Sequence, residues 1–152
     1  MKFQEEYLFN PFLLEQVDDD ELSKQINVIV SRYRRGETPY DVAFNIQLES
    51  DLLTIYGEFI ARFQEAYSLT KLEADNHVAN ATYNLRNEWK SESKVPAMSY
   101  FEAQAEDNAK ELRAKQYKLD SQLTRFKKAY SSLESKQNAL KKKLEAMKYE
   151  AI

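Results

Sequence analysis

The sequence predicts an all-α protein: a short N-terminal helix, then a long antiparallel two-helix hairpin with coiled-coil character that assembles into an oligomer. Three observations carry this. The 152 residues include only two glycines and three prolines, where ordinary usage would supply roughly ten glycines. Phosphate-cradling loops and tight β-hairpins need positive φ, which only Gly36 and Gly57 suit, so Rossmann, P-loop and β-sandwich folds are disfavoured. Finally, apolar side chains recur at helical spacing through two long stretches that contain no proline.

Residues 1–17 mix aromatics with acids around Asn10-Pro11 and sustain no helical stripe. They read as an arm that packs on a partner or on the hairpin, with Phe3, Tyr7, Phe9 and Phe12 as a possible docking peptide. Asp18, Asp19 and Asp20 precede Leu22, Ile26, Ile29, Val30 and Tyr33 at helical spacing. Acids suit a helix N-terminus, and Arg32, Arg34 and Arg35 suit its C-terminus before Gly36. Gly36-Glu37-Thr38-Pro39 is a break, and Pro39 can sit early in the next helix. Residues 1–38 are thus one region and 39–152 the hairpin.

Between about Tyr40 and Glu92 the stripe is Leu52, Tyr56, Phe59, Phe63, Tyr67, Ala74, Val78, Ala81, Leu85 and Trp89. Steps of eleven link Leu52, Phe63, Ala74 and Leu85, and likewise Tyr56, Tyr67, Val78 and Trp89. That period implies a nearly straight or slightly right-handed pair. Beyond Tyr67 the stripe thins to alanine, so the partner helix can approach closely. Gly57 costs about 1 kcal/mol in a helix interior. The hairpin turn falls at about 91–98, around Pro96, and Ser99 with Glu102 resembles a capping box opening the next helix. From there to Tyr149 the core series is Ala105, Leu112, Leu119, Phe126, Leu133, Leu140 and Met147. Interleaved with it run Ala109, Gln116, Leu123, Tyr130, Gln137 and Leu144. Steps alternating four and three are the coiled-coil pattern, and Gln116 and Gln137 are polar positions of the kind that fix register or oligomer state. One hairpin cannot bury both stripes, which points to self-association.

Chemistry is sparse. The chain has no cysteine, so no disulfide or thiolate, and its only histidine is His77, read as structural or a polar contact. Asp18–Asp20 read as helix-start acids rather than a metal site, and Glu73 and Asp75 are too close to face one another on a helix. The expectation is a non-enzyme with no metal or cofactor. The longest apolar run is three residues and the N-terminus is not signal-like, so a soluble cytoplasmic protein without membrane contact is expected.

Charge is more informative. Residues 1–109 carry 10 Lys or Arg against 20 Asp or Glu, whereas residues 110–148 carry 12 against 4. Such asymmetry marks a polyanion-binding arm, self-pairing of opposite surfaces, or simply a solvated helix face. Arg125, Lys127 and Lys128 form one cluster, and Lys141, Lys142 and Lys143 another, with Lys136 and Lys148 nearby. Cations of this kind hold phosphate backbones without reading sequence. Aromatics among them can stack on unpaired bases. Trp89, flanked by Arg86, Lys90 and Lys94, is the leading candidate against a helix-end packing role; Tyr117, Tyr130 and Tyr149 are others, with Tyr130 on the seam.

Residues 52–149 resemble the phage UvsY-type recombination mediators. The resemblance lies in Leu72-Glu73-Ala74-Asp75-Asn76-His77-Val78-Ala79, similar to the family's helix segment before the hairpin turn. It extends to the C-terminal helix from Tyr100 through Tyr130 to Lys148. Where family members place paired lysines before Val-Ala, this chain has Asn76-His77. The resemblance implies a homo-oligomer without catalysis, acting in DNA recombination, repair and replication. It would present Lys71, Arg86, Lys90, Lys94 and the C-terminal lysines to single-stranded DNA and help load a recombinase or annealing protein, with a single-strand-binding protein as a further partner. The competing expectation is a coiled-coil adaptor, scaffold or inhibitor acting only through protein surfaces.

Overall fold

A computed structural model describes residues 31–35, 38–89 and 94–150. The regular structure of these residues is helical: α1 spans Pro39–Glu88, α2 Met98–Asn108 and α3 Lys110–Glu150. The aromatic arm of residues 1–17, the aspartates at 18–20, most of the first expected helix, Gly36, Lys90 and residues 91–93 of the expected turn lie outside the described residues. None of the described helices is long and apolar enough to cross a membrane.

The chain divides into two compact units. The terminal unit comprises residues up to Arg62 and from Leu123 onward; the central unit is Phe63–Gln122.

In the terminal unit, α1 begins where Thr38 and Pro39 dictate. The Thr38 hydroxyl accepts from the Asp41 N–H at 3.1 Å and its carbonyl from the Val42 N–H at 3.1 Å. Threonine is thus the N-cap, and proline occupies the first helical position, where its missing N–H costs nothing. The α1 and α3 segments of this unit run antiparallel. Phe126 stacks on Phe59 (ring centroids 5.2 Å apart) and leans on Tyr56 at 5.6 Å. Tyr130 faces Gly57, and Gln137 donates to the Ile46 carbonyl and the Ser50 hydroxyl. Leu52, Tyr56, Phe59, Leu123 and Phe126 are buried, as the stripes require, and burial pushes the Tyr56 phenol up to about 12.

In the central unit the core changes to small side chains. Ala74, Ala105 and Ala109 are buried beside Phe63, Phe101 and Leu119. Small residues let helices approach closely, as the thinning of the α1 stripe anticipates. Trp89 meets Phe101 edge-on, and Arg113 reaches back to Asp75, so the chain direction is again reversed.

Three expectations need correction. No side chain caps α2: the cap is Ala97, in extended backbone after Pro96, and Ser99 lies inside the first turn, so Ser99 and Glu102 are not a capping box. The helix expected to continue unbroken to Tyr149 is interrupted at Ala109, whose ψ of 7° leaves helical space and whose N–H is shared between the Ala105 and Glu106 carbonyls. Arg113 brackets this bend by forking onto the Glu106 carboxylate. Lastly, Tyr33–Arg35 are not the end of a helix. The Asn45 amide binds both the N–H (2.8 Å) and the C=O (2.9 Å) of Arg34, withdrawing them from any helical ladder.

Every position of both series from Ala105 to Met147 is buried or half-buried. Leu112, Leu133, Leu140 and Leu144, expected in the core, are only half-buried, because one partner helix covers one side of the seam.

Candidate nucleic-acid interface

The candidate cations divide between the units. In the terminal unit, α3 presents Arg125, Lys127, Lys128, Lys136, Lys141, Lys142, Lys143 and Lys148 as exposed residues. Lys128 and Lys142 lie opposite the seam formed by Leu123, Phe126 and Gln137, whereas Lys127, Lys141 and Lys148 flank it on one side and Lys136 and Lys143 on the other. Lys136 is already engaged: its ammonium lies 5.4 Å from the centre of the Tyr33 ring.

Tyr33 belongs to a cluster that sequence reasoning missed. Its hydroxyl donates to Glu49 Oε1 at 2.9 Å, and Glu49 is fully buried on α1. Burial raises the Glu49 carboxyl above its ordinary value; the Tyr33 bond and the Lys136 charge work against that. Tyr33 is itself raised, by burial and then by its bond to Glu49. One residue on, the Arg34 guanidinium lies 4.0 Å from the Phe44 ring centre and 5.5 Å from that of Tyr40, with Asp41 at 3.6 Å. Arg32 and Arg35 are exposed beside it.

The central unit holds Lys71, Arg86, Trp89 and Lys94; Lys90 lies outside the described residues. Lys71 pairs with Asp75 at 2.9 Å, one helical turn away. Asp75 also receives Arg113 at 2.8 Å, and Glu106 receives the same guanidinium at 2.9 Å. Hydrogen bonds from Lys71 and then Arg113 hold Asp75 below the usual carboxylate range; Arg113 does the same for Glu106. Lys71 stays exposed while making this surface ion pair. Arg86 lines a cleft of about 1020 Å³ between α1 and α2, with Tyr83, Met98 and Glu102. Trp89 packs edge-on against Phe101 while 40% exposed. His77 lies exposed on α1. Tyr117 and Tyr149 are exposed, whereas Tyr130 is half-buried on the seam. No group of three or more acidic or histidine side chains able to hold a metal ion occurs among the described residues.

The arrangement can bind a polyanion along an exposed, lysine-rich helix face. No family model, no curated protein and no solved structure matches this chain.

Proposed function

We propose that this chain is a non-enzymatic, recombination-mediator-like accessory protein that binds single-stranded DNA and helps load a recombinase or annealing protein. The observation that supports it is the exposed basic face of α3 in the terminal unit. Residues 123–150 carry eight Lys or Arg and three Glu, and all eight cations are exposed. A face of this kind releases counterions from a phosphate backbone and holds the strand without reading its sequence.

Self-association belongs to the same reading. Leu133, Leu140, Leu144 and Met147 keep part of their surface open in a single chain. A second copy's helix laid along that seam completes a coiled coil, because heptad positions demand burial from two sides. The oligomer then multiplies the basic face, and repeated weak contacts to one strand become tight binding.

The adaptor reading draws on a different observation: Lys71 and Lys136 are already used inside the protein. Replacing Lys141, Lys142 and Lys143 by Glu separates the two. Light scattering with and without an oligonucleotide reads the outcome. Loss of DNA binding at unchanged oligomer size supports the mediator. Collapse of the oligomer supports the adaptor and overturns the proposal.

A further inference from the structure

We propose that Tyr40, with the neighbouring Arg35, forms a base-stacking platform for a single nucleic-acid strand at the start of α1. This rests on the reading of the chain as a single-strand binder and specifies where and how the bases are held.

The arginines do not hang from the protein as a loose tail. Asn45 clamps the Arg34 backbone through both its N–H and its C=O, and Tyr33 is tied to the buried Glu49. Tyr33 and Arg34, two successive residues, are therefore pinned to α1. Arg34 fills the space between Phe44 and Tyr40 and shares its charge with Asp41. It is a positioning residue. Arg35, the next residue in the chain, is exposed.

Tyr40 is 76% exposed although it stands in the first turn of a long helix beside a guanidinium. An aromatic ring steadied by a cation and otherwise open to solvent presents a face on which an unpaired base can stack. Bases inside a duplex are already stacked on one another, so the platform selects single strands.

The basic face of α3 reaches this end of the terminal unit. Lys136 lies over Tyr33, which shows directly that α3 cations approach the pinned segment. The pairings of Phe126 with Phe59 and of Gln137 with Ile46 define an antiparallel register. Continued toward the end of α3, that register sets Lys141–Lys143 alongside Val42–Phe44. Phosphates leaving the Tyr40 platform therefore run onto lysines. Among the described residues, the carboxylates at this end are Asp41, which is engaged with Arg34, the buried Glu49, and Glu145 and Glu150 on α3.

The experiment compares a fluorescent oligo(dT) with an abasic oligomer of equal length and charge, by anisotropy on the full chain. The wild type is expected to bind oligo(dT) about tenfold more tightly than the abasic strand, the size of one base stacked on an aromatic ring. Tyr40→Ala should remove that preference, and Tyr40→Phe should keep it. Replacing Arg35 by Ala should weaken both strands and reduce the salt slope by about 0.7. Equal wild-type affinity for the two strands, or a preference that survives Tyr40→Ala, overturns the platform; salt-dependent oligo(dT) binding would leave the broader reading intact. Failure of the wild type to bind either strand overturns both. Binding of poly-glutamate as tight as that of oligo(dT) overturns the platform in favour of an acidic protein partner. Circular dichroism on each variant excludes loss of folding as the cause.

Discussion

Glu49→Gln should stabilise the protein at neutral pH and leave it unchanged in acid. Glu49 is 0% exposed, and while Oε1 accepts the Tyr33 hydroxyl, Oε2 has no hydrogen-bond partner among the described residues. Burial raises its pKa; the Tyr33 bond and Lys136 only partly offset that. A carboxyl raised in the folded state binds a proton there before it does in the unfolded chain. The folded protein therefore gains stability as pH falls through the raised value toward the ordinary one near 4.3, and loses it as pH rises. Glutamine keeps the size and an acceptor for Tyr33 but carries no charge to desolvate. A buried charged oxygen lacking a donor costs at least about 1–3 kcal/mol, of which about 1–2 remains after the offset from Lys136. For a chain of this length, that is a rise in Tm of about 3–6 °C. Thermal unfolding followed by circular dichroism at pH 7 and pH 4.5 measures it. A gain at pH 7 that shrinks toward pH 4.5 is expected. A less stable variant at pH 7, or an equal gain at both pH values, refutes the reasoning.

Phe126→Ala removes the ring that stacks on Phe59 and touches Tyr56, and should cost about 3–5 kcal/mol in urea unfolding. Arg113→Met breaks the links to Asp75 and Glu106. Both carboxylates are held below their ordinary values, so their contribution is present at neutral pH and lost as pH falls through those lowered values. The variant should melt lower at pH 7, and its difference from the wild type should narrow below about pH 4. Gly57→Ala should stabilise by about 0.5–1 kcal/mol, because alanine favours helix and its Cβ would meet Tyr130 at an ordinary 3.9 Å.

The α3 seam was legible because leucines and aromatics repeating at heptad spacing line up on one side of a helix and on no one face of a strand. The start of α1 was legible in Thr38-Pro39. Three buried positions near the start of α1 were missed. Val42, Asn45 and Glu49 extend the spacing of Leu52, Tyr56 and Phe59 toward the N-terminus, yet two of the three are polar and so dropped out of a hydrophobic pattern. Glu49 and Asn45 are held by Tyr33 and Arg34, partners sixteen and eleven residues away that periodicity cannot supply. The same blindness turned Arg34 and Arg35 into a helix end. No glycine or proline marks the bend at Ala109, where Arg113 holds both sides. Lys71 is different: Asp75 stands four residues on, the spacing at which helix side chains pair, so its commitment was available in the sequence.

The most direct test of the basic helix as a strand-binding face is the salt dependence of oligo(dT) binding. Four phosphate contacts predict a slope near −2.8, which weakens binding about 50-fold between 50 and 200 mM salt. Wild-type protein should show that loss, and the variant with Glu at positions 141, 142 and 143 should bind weakly at 50 mM already. Absence of binding at 50 mM, or affinity indifferent to both salt and the three lysines, would contradict the claim that this chain holds single-stranded DNA on its basic helix.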